Sequence, residues 1–248
     1  MKSAVYPSLS GKKVLVTGGA SGIGAALVER FARQGSKVAF LDIDQAAGQD
    51  LAARSEGVSF LSCDLRDADA VMATVRSAQR VLGGFDILLN NAASDDRHTL
   101  DDVTPAYWDE RIATNLRHQF FAAQAVVPAM RAAGGGAIVN FGSISWHLGL
   151  LDLVVYQTAK AGIEGLTRGL ARELGRDNIR VTTIVPGSVQ TPRQAKWYTP
   201  EGENEIVTAQ CLNERIQPAD VAALALFLAS DDARMCTGHA YFVDAGWR

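Results

Sequence analysis

Short runs of β-branched and large apolar residues alternate along the chain with longer segments that have helical spacing. The apolar runs predict strands at Lys13–Thr17, Lys37–Leu41, Val58–Leu61, Asp86–Asn90, Ala137–Phe141, Ile179–Val185 and Ala240–Val243. Amphipathic helices are predicted between most of them, for example at Ala25–Gln34 and Asp67–Leu82. Strands that are apolar throughout and alternate with helices are typical of a parallel sheet covered on both faces. We therefore predict one α/β domain over residues 1–248, a Rossmann-type doubly wound parallel sheet with helices on both faces.

The segment at about residues 190–216 does not follow this alternation. It contains Pro192, Pro200, Trp197 and four acidic residues, which together break any regular period. Irregular stretches of this length inside a compact domain are often lids or binding loops. We expect a loop that covers the substrate and contains some helix of its own.

Composition narrows the class of protein. Hydrophobic residues make up 48% and charged residues 21% of the chain, which is ordinary for a globular protein. Lys and Arg number 24 against 27 Asp and Glu, a net charge of −3, so neither nucleic acid nor a membrane is an expected partner. Three widely spaced cysteines without a C-x-x-C pair, and no visible signal peptide, predict a cytoplasmic protein with free thiols.

A glycine-rich turn, Thr17–Gly24, follows the first predicted strand and opens a helical segment. Its glycines form the pattern G-x-x-x-G-x-G, a relative of the dinucleotide fingerprint. Glycine lets backbone N–H groups approach a pyrophosphate, which the N-terminus of the following helix attracts. In isolation the motif could be a turn without a ligand, but its place between strand and helix favours cofactor binding. The predicted contacts are Gly18, Ser21, Gly22, Ile23 and Gly24.

The second predicted strand is followed by Asp42, which lies 18 residues beyond Gly24. A carboxylate at this position accepts hydrogen bonds from the adenosine ribose hydroxyls and repels a 2′-phosphate. No basic residue stands at Gly19, Ala20 or Ile43 to bind such a phosphate. The pattern predicts NAD rather than NADP, with a helix-capping aspartate as the alternative interpretation.

Two further strand ends supply candidate cofactor contacts. Asp64 and Leu65 follow the third strand and would lie at the adenine edge, and Asn91 follows the fourth strand and would line the other flank of the cofactor. Either segment could equally be a simple turn.

The candidate chemistry lies in the second half of the chain. Tyr156 and Lys160 stand at positions i and i+4 of a predicted helix, so their side chains share one face. Ser143 comes 13 residues before Tyr156, just beyond the fifth strand, and Asn115 is a polar residue in an otherwise apolar-faced helix around residues 112–127. Tyr-x-x-x-Lys alone occurs by chance in many helices. The order Ser143, Tyr156, Lys160 after a glycine-rich nucleotide-binding turn is a more specific signal.

Together these motifs resemble the short-chain dehydrogenase/reductase family along nearly the whole chain. The matching positions are Thr17–Gly24, Asp42, Asp64, Asn90–Ala92, Asn115, Ser143, Tyr156, Lys160 and Pro186-Gly187. The resemblance implies that Asn115, Ser143, Tyr156 and Lys160 are catalytic and that Tyr156 and Lys160 also contact the cofactor. It further implies that Pro186, Val189 and Thr191 hold the nicotinamide end.

The same resemblance implies a mechanism with a tyrosinate base. A free tyrosine has a pKa of about 10, and the nearby Lys160 ammonium and the positive nicotinamide would both favour the phenolate. Ser143 would hold the substrate oxygen, and Asn115 would position a water that links Lys160 to solvent.

Residues just after the fourth and fifth strands, Ser94–His98 and Ile144–His147, are expected to face the substrate. They are rich in hydrogen-bonding groups and include one indole, which suits a polyhydroxylated ring better than an apolar chain. The predicted substrate contacts are Ser143, Tyr156, Asp95, Trp146, His147 and, in the irregular segment, Trp197. Each of these residues has an equally good structural interpretation. Trp146 could pack in the core, Asp95 could cap a helix, and His147 could lie on the surface.

Blocks that are not general family motifs resemble bacterial NAD-dependent sugar dehydrogenases within the family. These blocks are Asp95–His98, Asn115–His118, Phe141–Gly149, Lys196–Gly202 and Asp244–Arg248. They imply oxidation of an aldopyranose, D-xylose first, at its anomeric carbon to give the aldonolactone. L-Arabinose or another aldose remains open as the substrate.

Other classes fit less well. The runner-up is a 3-oxoacyl-type carbonyl reductase of the same fold, and a module that senses NAD without turnover is the non-enzyme alternative. Ser143 lacks a G-x-S-x-G elbow, which disfavours a hydrolase, and the histidines form no pattern that predicts a metal site. Ala-rich helices around residues 120–133 and 159–174 predict a homo-oligomer, a dimer or a tetramer.

Overall fold

The computed structural model describes residues 4–194 and 199–247, and its centre is a seven-stranded parallel sheet. The strands are β1 (Lys13–Thr17), β2 (Lys37–Asp42), β3 (Val58–Ser62), β4 (Ile87–Asn90), β5 (Gly136–Phe141), β6 (Ile179–Pro186) and β7 (Ala240–Val243). Their spatial order is β3-β2-β1-β4-β5-β6-β7. The predicted fold class is therefore confirmed, with each strand boundary within one residue of the sequence prediction.

The helices cover both faces of this sheet. They are α1 (Gly22–Arg33), α2 (Gln45–Ala53), α3 (Ala68–Leu82), α4 (Pro105–Ile112), α5 (His118–Ala132), α6 (Ser145–Leu148), α7 (Val154–Leu174), α8 (Pro200–Ala209) and α9 (Pro218–Ala229). Successive residues of β1 point to opposite faces, so Val14 and Val16 join a core with α1 and α9, whereas Leu15 joins a second core with α3 and α5. Both faces are thus apolar and covered.

The order of the strands determines where a ligand can bind. The chain winds outward from β1 to β3 on one side, then returns to place β4 against the other edge of β1. The loops after β1 and β4 consequently leave the sheet on opposite sides and open a crevice at the carboxyl ends of the strands. The predicted functional residues follow these strand ends.

The helix predicted around residues 112–127 is not continuous. A π-helical turn, Ala113–Arg117, separates α4 from α5, and Asn115 lies inside it. Such turns insert one extra residue per turn and recur at functional sites, but their hydrophobic spacing over five residues does not differ visibly from an α-helix.

The two ends of the irregular segment at 190–216 lie next to each other, just beyond the end of β6. Val189 and Ile216 form an isolated parallel bridge, and the intervening chain contains α8, whose N-terminus is capped by Thr199. Trp197, a predicted substrate contact, lies outside the described residues. None of the helices that the structure describes is long and apolar enough to cross a membrane.

Candidate active site

A cavity of about 940 Å³ lies along the carboxyl ends of the strands. Every predicted cofactor contact lines it: Gly18, Ser21, Gly22, Ile23, Gly24, Asp42, Asp64, Leu65, Asn91, Tyr156, Lys160, Pro186, Val189 and Thr191. Ser143 and Asp95 line it as well. A single space is therefore long enough to run from the end of β2 to the candidate chemical groups.

The glycine-rich turn between β1 and α1 forms one wall of this cavity. Gly18 and Gly22 have left-handed φ angles of +66° and +54°, and a Cβ at Gly24 would lie 1.8 Å from the carbonyl oxygen of Gly18. The Asn91 amide donates to the carbonyl oxygens of Thr17 and Gly18, at 3.1 and 2.9 Å. The glycines and the hydrogen bonds from Asn91 thus leave the backbone N–H groups at the start of α1 accessible from the cavity. This arrangement fits a dinucleotide pyrophosphate.

Asp42 connects the same turn to the end of β2. Its carboxylate accepts hydrogen bonds from the backbone N–H groups of Ala20, at 2.9 Å, and Asp44, at 3.1 Å. Asp42 is not the helix cap that the alternative interpretation proposed. Asp44 caps α2 instead, because its side chain accepts a hydrogen bond from the Ala47 backbone N–H. The Asp42 carboxylate is therefore held at the cavity wall, where a ribose-binding group is needed.

Asp64 forms an ion pair that its sequence position did not predict. The Arg66 guanidinium donates to its carboxylate at 2.7 Å, which lowers the pKa of Asp64. Arg66 also lies 3.4 Å from Glu110 of α4. The adenine edge predicted for Asp64 and Leu65 thus contains an exposed ion pair as well.

Tyr156 and Lys160 extend from the first turns of α7 toward the end of β5. Lys160 is 2% exposed, and its ammonium donates to the Phe141 carbonyl oxygen at 2.8 Å. Its Nζ lies 5.4 Å from the centre of the Tyr156 ring. The Ser143 hydroxyl, which follows β5, hydrogen-bonds the Tyr156 phenol and accepts from the Ser145 backbone N–H at 3.2 Å. The structure brings these three predicted residues together.

The electrostatics of this group differ from the sequence expectation. Burial raises the pKa of Tyr156, the Asp95 carboxylate raises it further, and Ser143 and Arg193 lower it to a smaller extent. Burial also lowers the pKa of Lys160 to about 7. In the protein alone, burial therefore outweighs the groups that favour the phenolate, because desolvation penalises the charged forms of both Tyr156 and Lys160.

Asn115 does not line the cavity, although it was predicted among the catalytic residues. It is fully buried in the π-helical turn, donates to the Arg111 carbonyl oxygen at 3.0 Å and accepts from the Ser94 backbone N–H at 2.8 Å. Its side chain thus braces the loop after β4.

The structure corrects two of the predicted substrate contacts. Trp146 and His147 lie on the short helix α6, outside the cavity lining, and both donate to one carboxylate oxygen of Glu164 on α7, at 3.0 and 2.9 Å. Their rings stack 3.8 Å apart. One turn of helix directly after β5 rotates these residues away from the crevice, which their position after a strand did not reveal.

Among the predicted substrate contacts that the structure describes, Asp95 lines the cavity together with Ser143 and Tyr156. Arg193 lies 3.7 Å from its carboxylate and donates to the Ala93 carbonyl oxygen at 2.9 Å. Arg193 thereby connects the irregular segment to the loop after β4 across the cavity.

Sequence reasoning missed several residues of the cavity lining. They are Leu150, Leu151, Leu153, Arg193, Gln194, Glu205, Ile206 and Trp247. The irregular period at 190–216 pointed to the region of four of them, but not to individual side chains. Leu151 is 81% exposed, and no sequence pattern singled it out.

No group of three metal-ligating side chains is found among residues 4–194 and 199–247.

Comparison with known proteins identifies the family. A family model described as enoyl-(acyl carrier protein) reductase matches residues 18–248. The D-xylose 1-dehydrogenase of Caulobacter vibrioides is 61% identical over 252 residues, which cover 100% of this chain and 100% of that protein. A "probable galactose dehydrogenase" of Rhizobium meliloti is 47% identical and covers 99% of this chain and 98% of that protein.

Solved structures agree with these relatives. A "putative short-chain alcohol dehydrogenase" from Sinorhizobium meliloti 1021 superposes with a TM-score of 0.92 at 35% identity, covering 97% of this chain and 98% of that one. A short chain dehydrogenase/reductase family protein superposes with a TM-score of 0.86 at 32% identity, covering 96% of this chain and 98% of that one. The chain belongs to the short-chain dehydrogenase/reductase family. It is an oxidoreductase with a Rossmann fold and, as in that family, a nicotinamide cofactor.

The carboxylate of Asp95 gives a testable pH dependence. Because its negative charge raises the pKa of Tyr156, Asp95→Asn should lower that pKa and allow the phenol to ionise at lower pH. The acid limb of the kcat/KM profile is expected to move to lower pH by up to about one unit. Profiles of the wild type and of Asp96→Asn, a neighbouring carboxylate outside the cavity lining, provide the comparison; a shift to higher pH would contradict the assignment.

Proposed function

We propose that this protein oxidises an aldopyranose, D-xylose first, at C1 to the aldonolactone with NAD as the hydride acceptor. The observation that carries the proposal is the 61% identity to a D-xylose 1-dehydrogenase over the full length of both chains. The 47% identity to a probable galactose dehydrogenase supports the broader class of aldose substrates.

The substrate end of the cavity supports a sugar ring. Asp95, Gln194 and Glu205 present hydrogen-bonding groups, while Leu153 and Ile206 present apolar surface. A pyranose has hydroxyl groups around its edge and C–H groups on its faces, so this mixture suits it. A fatty acyl chain would offer these polar side chains no hydrogen-bond partners.

Tyr156 is the proposed base. It would take the proton of the C1 hydroxyl while the hydrogen at C1 leaves with its electron pair, so that a carbon–oxygen double bond forms. Ser143, already hydrogen-bonded to the phenol, would hold the substrate oxygen. Lys160 would hold the nicotinamide ribose and provide positive charge below the phenol. The bound cofactor supplies the hydride acceptor and a second positive charge.

The proton route is the least direct part of this mechanism. We expected Asn115 to position a water between Lys160 and solvent. Its side chain instead hydrogen-bonds Ser94 and Arg111 and braces the loop after β4.

NAD rather than NADP is proposed from the neighbourhood of Asp42. The carboxylate lies at the cavity wall, and the adjacent lining residue Ile43 is apolar. A 2′-phosphate would approach a negative charge beside an apolar residue, whereas ribose hydroxyls would donate to that carboxylate.

We further propose one domain over the whole chain, with residues 190–216 as its substrate cover. Arg215 supports this arrangement because it pairs with Glu203 of α8 and donates to the Ser188 hydroxyl at 3.3 Å. α8 is thereby attached to the strand end that borders the nicotinamide site, and its Ile206 lines the cavity.

A homo-oligomer, dimer or tetramer, in the cytoplasm is also proposed. Trp108 of α4 and Phe120 of α5 are 40% and 42% exposed, which is unusual for large aromatic side chains on packed helices. Cys63, Cys211 and Cys236 are free thiols, which supports a reducing compartment.

The substrate class is tested by a panel of aldoses. We expect NADH formation with D-xylose at kcat/KM at least about tenfold above that with L-arabinose or D-galactose, because an epimer or an added hydroxymethyl group alters the fit in a closed pocket. NADH oxidation by 3-oxoacyl thioesters is measured in parallel. Turnover of the thioester without turnover of any aldose would favour the carbonyl-reductase alternative.

The base is tested with Tyr156→Phe. The variant lacks the phenolic oxygen but keeps the ring, so kcat should fall by about a hundredfold or more while NAD still binds. Quenching of tryptophan fluorescence gives the NAD affinity, and Tyr6→Phe, at a tyrosine outside the cavity lining, is the matched control. Turnover near that of the wild type would exclude Tyr156 as the base.

Cofactor choice is tested with Asp42→Ala. Loss of the carboxylate removes an acceptor for the ribose hydroxyls and the repulsion of a 2′-phosphate, so the ratio of kcat/KM for NAD over NADP should fall by about tenfold or more. Asp44→Ala, which removes the nearby α2 cap, controls for local destabilisation. An unchanged ratio would exclude Asp42 from ribose recognition.

A further inference from the structure

The helix that carries Tyr156 lacks an N-terminal cap of its own. The residue before α7 is Leu153, whose side chain cannot accept a hydrogen bond. The backbone N–H of Val155 instead donates to Nε2 of His98, at 3.2 Å, from a residue 57 positions earlier in the chain. An imidazole thus takes the place of the missing cap.

His98 is held firmly in this position. It is 8% exposed, and its backbone N–H donates to the Asp152 carbonyl oxygen at 3.0 Å. Nδ1 lies 3.0 Å from the Tyr107 hydroxyl and 3.2 Å from the Asp96 carbonyl oxygen. Since Nε2 accepts a hydrogen bond, the neutral ring carries its proton on Nδ1 and donates it to these oxygens.

The loop that carries His98 also contacts the π-helical turn. Its first residue, Ser94, donates its backbone N–H to Asn115, and the Arg97 side chain donates to the Leu151 carbonyl oxygen at 3.2 Å. Residues 94–98 therefore join the start of α7 to the turn below the cavity. His98 itself does not line the cavity, so the expectation that it faces the substrate is corrected.

We propose that His98 is a positioning residue that fixes the first turn of α7 and thereby the Tyr156 phenol. Tyr156 directly follows Val155, and the first turn of a helix has no internal partners for its N–H groups. Without an acceptor this turn would fray and move the phenol away from Ser143, and small displacements of a reacting group strongly reduce turnover. The kinetic part of this proposal rests on the proposed function of Tyr156.

Two substitutions separate the two nitrogens of the ring. His98→Gln keeps an acceptor near the position of Nε2, whereas His98→Asn keeps a donor near Nδ1 and loses the acceptor for Val155. We expect His98→Asn to reduce kcat about tenfold or more with little change in NAD affinity. We expect His98→Gln to retain kcat within about threefold, and His239→Asn, at an exposed histidine, to match the wild type.

Hydrogen exchange of peptides that cover residues 150–160 tests the same proposal without any substrate. Faster exchange at the start of α7 in His98→Asn, but not in His98→Gln, is the expected result. Unchanged exchange in His98→Asn, or equal losses of kcat in both variants, would overturn the proposal. If the wild type oxidises no aldose, the proposed function fails, while the exchange experiment still decides the role of His98.

Discussion

The buried hydrogen bond from Lys160 to the Phe141 carbonyl oxygen is the interaction on which the site depends. It joins the second turn of α7 to the carboxyl end of β5, and it fixes the ammonium near the Tyr156 ring. Removing the Lys160 ammonium from water costs free energy, which its hydrogen bond to the Phe141 carbonyl oxygen partly offsets. The side chain therefore strongly favours the position in which this hydrogen bond forms. The distance between Tyr156 and the strand end follows from this contact.

The same burial sets the charge of the site. The protein alone favours a neutral phenol and a lysine that titrates near neutral pH, with Asp95 acting against ionisation of Tyr156. A base that ionises only when further positive charge is present would stay inactive in the empty enzyme. In the proposed mechanism, the positive charge of the bound nicotinamide would therefore couple cofactor binding to formation of the base.

The sequence was sufficient for the fold, and the predicted cofactor contacts lie together in the lining of one cavity. Apolar runs locate all of the strands, because residues buried on both faces leave little freedom of composition. The glycine pattern and Asp42 depend on local backbone geometry, which adjacent residues determine. The resemblance to a known family then supplied Ser143, Tyr156 and Lys160.

The substrate end could not be predicted with the same success. Whether Trp146 faces the cavity or Glu164 depends on one helical turn after β5, and the role of His98 depends on a contact 57 residues away. The π-helical turn around Asn115 interrupts the helix without changing the hydrophobic pattern. Such features arise from tertiary packing, which single-sequence periodicity does not encode.

A crystal structure with bound dinucleotide would test the central claim most directly. The account predicts the adenosine ribose at Asp42, the pyrophosphate at the start of α1, and the Tyr156 hydroxyl and Lys160 ammonium at the nicotinamide end. A dinucleotide bound in the reverse direction, or a Tyr156 hydroxyl too far from the nicotinamide for a substrate atom to contact both, would contradict it.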